Sequence, residues 1–141
     1  MEFAEMDSAV LFGLVTMVTW GIWILLGNAA SESMDPRTAA AISYLVAALL
    51  AFGFIIVSDA SLAVTARGGL LAGVAGLFTG IGLISMYIGF TRGSTTVVST
   101  LGAMYFVVAA VLGILVLGEN VTLTKVTGIA FAVVGIVLVT Q

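Results

Sequence analysis

Two tryptophans one helical turn apart, Trp20 and Trp23, are the residues whose type and position ask most directly for a role. Trp20 lies about eleven residues into an apolar run of about 21, close to the midplane of any bilayer that run crosses. Membrane tryptophans collect in the two interfacial belts, and Trp20 is in the wrong place for one. An indole N–H at that depth wants a hydrogen-bond partner, so the stripe it shares with Thr16, Trp23 and Gly27 faces a packed interior or a cavity. Farther on, Gly80 and Tyr87 share a helical face with Thr79 and Ser85 beside it. Tyr105 lies near the middle of the next run, with Thr100 about one turn earlier. On this reading Trp20, Trp23, Tyr87 and Tyr105 form aromatic walls around a solute, and Thr79, Ser85 and Thr100 supply hydrogen bonds. Met86, Met104 and Phe106 are also available to such a wall, and Asn28 can equally cap a helix end.

The remaining inventory excludes more than it offers. With no histidine and no cysteine there is no imidazole acid–base pair, no thiol nucleophile, no Cys/His zinc site and no disulfide. Glu32, Asp35, Asp59 and Glu119 all stand at the ends of apolar runs, and no acidic residue stands in the middle of one. A carboxylate that exchanges protons within the membrane is therefore not expected, nor is a catalytic residue, a metal or a cofactor. Glu119 reads as closing a turn and offsetting the positive N-terminal end of the last helix. Four basic against seven acidic residues leave no patch for a nucleic-acid backbone, and the net charge of −3 sits in tails and loops.

These residues must be held by helices that face lipid. Hydrophobic residues are 62% of the 141 and charged residues 8%, more apolar surface than a globule of this length can bury in water. Five runs, about 9–29, 38–58, 69–91, 94–117 and 123–140, approach the ~20 residues that carry a helix across a bilayer core. Strands are excluded because barrel strands alternate and these runs are apolar throughout. The first run is too long, and its leading end too acidic, for a secretory signal peptide. The fold expected is all-α and integral to the membrane, a single five-helix domain over residues 1–141. Asp7 or Ser8 is expected to cap the first helix and Asp35 the second, with Pro36 at its first position. Gly93 and Ser94 make a tight link between the third and fourth spans, Gly118 ends the fourth, and Thr122 caps the fifth. Leu62, Ala63 and Val64 are expected to rest at headgroup level, and Lys125 to snorkel from the last helix.

Small residues glue helices together in lipid. Gly69, Gly73, Gly76 and Gly80 share one face, as do Gly102, Ala109 and Gly113, and then Gly128, Ala132 and Gly135. These are expected to be packing seams, with the fourth–fifth hairpin chosen as a subunit interface.

In order and spacing, the stretches closely resemble the EamA-like repeat of the drug/metabolite transporter superfamily. The "TRGST" turn, the long apolar helix ending in "LGENVTLTK" and the glycine-spaced "VTGIAFAVVGIVLVT" resemble the repeat's C-terminal end. "TWGIWILLGNAAS" is similar to its first helix, and "GLFTGIGLISMYIGFTRGST" to its third. The resemblance spans essentially the whole chain. It departs at Ser94, where two-repeat members have a proline, a position that only starts a helix. The resemblance implies a multi-pass plasma-membrane transporter of small metabolites or drug-like solutes. Most members join two such repeats in opposite orientations, ten helices in all. One repeat makes half a pathway, so the resemblance implies a second copy. The related small multidrug resistance proteins use a buried glutamate, which this chain lacks. A facilitator or exchanger of neutral or zwitterionic solutes is therefore expected. The alternative is a non-transporting membrane subunit of another complex, which would be dry and packed where a pathway would be hydrated.

Orientation follows lysines and arginines in short loops. Five spans place Arg67 and Lys125 on one side and Arg37 and Arg92 on the other, a tie. A balanced count lets the chain insert both ways, as a repeat needing an inverted copy requires. The expected assembly is an antiparallel, dual-topology homodimer in the lipid bilayer, with the solute pathway between the subunits.

Overall fold

The protein is seen in a computed structural model that describes residues 2–58, 63–118 and 120–141, with side chains from residue 8 onward apart from that of Leu117. Every regular element among the described residues is a helix: α1 Glu2–Ser33, α2 Pro36–Val57, α3 Ala66–Phe90, α4 Thr95–Ala103, α5 Tyr105–Leu117 and α6 Leu123–Val139. Four stretches are long and apolar enough to cross a bilayer: Ser8–Ser33, Pro36–Val57, Ala66–Phe90 and Thr95–Val116. The fifth, Leu123–Val139, is 17 residues long, or about 25 Å at 1.5 Å per residue, at the short end of what spans. Lipid explains the uniformity, since a chain in hydrocarbon must satisfy its backbone internally and a helix does so within one segment.

The helix ends follow local chemistry. The Asp35 carboxylate accepts from the backbone N–H of Arg37 at 2.9 Å and of Thr38 at 3.4 Å, and Pro36 opens α2 without wasting a donor. Thr65 caps α3 through Gly68 N–H at 3.1 Å, Ser94 caps α4 through Val97 N–H, and Thr122 caps α6 through Lys125 N–H. Gly118 closes α5 at φ +67°, a left-handed conformation that glycine adopts without a Cβ penalty.

Two boundaries differ from expectation. Residues 7 and 8 lie inside α1 rather than at its start, because Glu2–Met6 are adequate helix formers and nothing before Asp7 stops the helix. The expected fourth span is interrupted at Met104, whose N–H bonds back three residues to Leu101 O at 3.1 Å while its own carbonyl takes Val107 N–H at 2.9 Å. That tightened turn follows Gly102, the weakest helix former nearby. The roles expected for Asp59, Leu62 and Glu119, and for the Asp7 side chain, lie outside the described residues.

The chain divides into two units, Met1–Arg92 and Gly93–Gln141. In the first, α1, α2 and α3 pack on one another; in the second, α4 packs on α6. The first unit's core sits at one end, where the C-terminal part of α1 meets the start of α2 and the end of α3. Ala39, Ala40, Tyr87 and Phe90 are buried there together with Ser31, whose hydroxyl donates to Gly27 O at 2.8 Å. Alanines and a glycine, not the expected glycine stripe of α3, bring these helices close. At Gly73, Gly76 and Gly80 no atom of the unit stands within 4 Å of where a Cβ would be.

Candidate solute-binding cleft

A chain of four aromatic rings joins α1 to α3 in the first unit. Trp20 and Trp23, three residues apart on α1, have ring centroids 6.4 Å apart and tilted at 59°. Trp23 meets Tyr87 of α3 at 5.9 Å, and Tyr87 meets Phe90 at 6.0 Å, both at 53°. Tilted pairs at these separations suit the aromatic quadrupole and are worth about 0.5–1.5 kcal/mol each beyond area burial. Gly27 makes the approach possible, because a Cβ there would stand 3.2 Å from both Cζ and the hydroxyl oxygen of Tyr87.

Two neighbouring residues of α2 fasten the other side. Ser43 and Tyr87 share a hydroxyl–hydroxyl hydrogen bond at 2.5 Å, and the Tyr44 hydroxyl donates to the backbone carbonyl of Thr79. Two consecutive side chains of α2 thus hold α3 at points two turns apart. Polar bonds between helices in a membrane average about 0.6 kcal/mol, so the pair positions the helices more than it stabilises them.

Beside the Ser43–Tyr87 bond lies a cleft of about 470 Å³, open on one side and within the volume range usual for small-molecule sites. From α1 it is lined by Thr19, Ile22, Trp23, Leu26, Gly27 and Ala30; Ser43 comes from α2 and Tyr87 from α3. No charged side chain is among them. Thr19 stands near the middle of the Ser8–Ser33 span and Ala30 near its end, so the cleft runs from mid-membrane depth toward one surface.

The residues expected at a solute site are distributed unevenly. Trp23 and Tyr87 line the cleft, and the Trp20 ring meets that of Trp23 at a tilt. Tyr87 is only 1% exposed, which makes it a wall rather than a mobile contact. Thr79 and Ser85 are exposed and outside the lining; the Thr79 hydroxyl donates to its own helix at Ala75 O, 2.9 Å away. Thr100 and Tyr105 belong to the second unit, Thr100 half-buried in α4 and Tyr105 exposed at the start of α5. Ser43 and Tyr44 were not among the expected residues. Their signal is present, since they are the only side chains with a hydrogen-bonding group between Thr38 and Ser58.

The long apolar helices among the described residues define a multi-pass α-helical membrane protein. The sequence profile of the EamA-like transporter family matches residues 7–141, and the chain belongs to that family, membrane transporters of the drug/metabolite type. No curated protein and no solved structure matches the chain.

Proposed function

We propose that this chain is a facilitator or exchanger of a small uncharged or zwitterionic metabolite or drug-like solute in the plasma membrane, working as an antiparallel homodimer with the pathway between subunits. The observation that carries the reading is the family match over residues 7–141. In this proposal the two units form one five-helix domain, and a second copy facing the other way covers the open side of the cleft. Trp20, Trp23 and Tyr105 contact the solute, the buried Tyr87 is the wall behind Trp23, and Thr79, Ser85 and Thr100 are hydrogen bonders along the pathway outside the cleft. Three features support a second copy: Gly73, Gly76 and Gly80 of α3 and Gly128 and Gly135 of α6, which no side chain of their own unit covers, the large apolar side chains exposed along every helix, and the even split of Arg37, Arg67, Arg92 and Lys125 that five spans give.

The chain lacks cysteine, so single cysteines introduced as Asp7→Cys and Gln141→Cys give a clean topology test. Each labels from both sides of the membrane in sealed cells if the chain has dual topology. Labelling of each from one side only, or full activity after two lysines are added to one loop, refutes the antiparallel dimer. Solute uptake into liposomes holding the purified chain as their only protein tests transport itself, and a panel of amino acids, nucleosides, sugars and lipophilic drugs that all stay outside refutes it.

A further inference from the structure

The chemistry of the cleft selects a class of occupant. Resting on the reading of this cleft as a solute site, we propose that it takes an uncharged, flat, largely apolar molecule carrying a hydrogen-bond acceptor, seated against Trp23 with its acceptor on the Ser43 hydroxyl.

Charge is excluded by the walls. The lining holds Ile22, Leu26 and Ala30 but no lysine, arginine, aspartate or glutamate to pair with an ion. An unpaired ion in such surroundings loses its hydration and gains nothing of equal strength. A cation could instead seek an aromatic cage. The ring of Tyr87, however, is buried between those of Trp23 and Phe90, so only Trp23 has surface to give and one ring is not a cage.

The polar groups then fix what the solute must carry. The pair Ser43 and Tyr87 has two hydroxyl protons, and their shared bond uses one. Either oxygen can donate in that bond, and the arrangement that serves a solute has the buried Tyr87 hydroxyl donating to Ser43. Ser43, half-buried and in the lining, keeps its own proton to donate into the cleft. Thr19 offers no proton, since its hydroxyl donates to Val15 O at 2.8 Å. The indole of Trp23 can only donate. The Ser43 proton is matched by a carbonyl, and the oxygens of Thr19 and Ser43, which keep lone pairs, admit an N–H beside it, so a neutral amide fits both. The indole supplies a flat apolar face for the rest of the molecule, and a volume of about 470 Å³ admits one or two rings.

Benzamide, benzoate and benzylamine present one ring with a neutral carbonyl, an anion and a cation, and serve as probes. Equilibrium dialysis of radiolabelled benzamide against the full chain in lipid nanodiscs, with empty nanodiscs subtracted, is expected to show saturable binding. Benzoate and benzylamine at tenfold excess are expected not to displace it. Ser43→Ala is expected to weaken benzamide binding about three- to tenfold, the worth of one neutral hydrogen bond, while Ser43→Thr keeps most of it. Both variants are first matched to the parent in helix content and in size on gel filtration. Displacement by benzoate or benzylamine as strong as by benzamide overturns the proposal. So does unaltered benzamide binding in Ser43→Ala, and so does an absence of saturable binding, as expected if lipid acyl chains hold the cleft. Binding in nanodiscs needs no transport. If the chain binds benzamide but moves no solute in liposomes, the occupant class stands and the transport reading falls. If it moves a charged solute and never binds benzamide, transport stands and the occupant class falls.

Discussion

Gly27→Ala is the smallest change that probes how α1 and α3 meet. The added methyl would stand 3.2 Å from Cζ and from the hydroxyl oxygen of Tyr87, and 3.5 Å from Cε2 of Phe90. Ordinary carbon contacts settle at about 3.5–4.0 Å, so Tyr87 must retreat by a few tenths of an ångström. It has little room to do so, being 1% exposed, tethered to Ser43 at 2.5 Å and flanked by two rings at 5.9 and 6.0 Å. Overpacking of this kind costs about 1–3 kcal/mol. Against it stands the helix preference for alanine over glycine, about 1 kcal/mol at most. The expected net loss is about 1 kcal/mol. It is read from reversible unfolding in mixed micelles of a mild detergent and dodecyl sulfate, followed by the fluorescence of the two tryptophans, both on α1. Tyr87→Phe removes one of the two clashing atoms, so the double mutant is expected to lose less than the sum of the single changes. Gly73→Ala meets no atom of its own unit and serves as the control, unchanged or slightly more stable. Wild-type stability in Gly27→Ala, or strict additivity with Tyr87→Phe, refutes this account of the helix contact.

Other expectations concern separate parts of the chain. Asp35→Ala removes the cap of α2 and is expected to cost about 1 kcal/mol in the same unfolding assay. Gly118→Ala forces a side chain into φ +67° and is expected to cost a further ~1 kcal/mol, whereas Gly118→Asn, which tolerates that conformation, costs less. Gly135→Leu on α6 fills a face open in its own unit; it is expected to shift the protein from dimer to monomer on gel filtration with light scattering if that face is the subunit interface. Trp20→Ala and Tyr105→Ala are each expected to abolish uptake into liposomes while leaving expression and oligomer size unchanged, and full uptake in both removes these residues from the solute path.

Ser43 and Tyr44 show why a membrane sequence hides its contacts. In water, a helix announces its buried face by an apolar stripe opposite a polar one. In lipid both faces are apolar, so α2 and α3 carry no periodic signal of which side meets a neighbour. The polar pair in the middle of α2 was visible, but nothing local says that Ser43 reaches Tyr87, 44 residues away, or that Tyr44 reaches the carbonyl of Thr79, 35 residues away. The glycine stripe of α3 is silent in the same way, since small residues permit close approach without saying which helix makes it.

What the sequence determined by itself is what lipid and the helix backbone dictate over a few residues. The apolar runs became helices because no other single segment satisfies its own backbone in hydrocarbon. Asp35, Ser94, Gly118 and Thr122 ended or started them because capping and left-handed turns depend on near neighbours. The Trp20–Trp23 stripe, too, was legible as helical spacing. Only the tertiary structure decided that Gly27 lies against Tyr87, that Ala39 and Ala40 rather than the α3 glycines fill the core, and that Ser43 lines the cleft while Thr79 and Ser85 stand outside it. Those facts depend on how each helix is rotated about its axis. Rotation in a membrane is set by the summed fit of many small contacts between segments, which no single stretch of sequence contains.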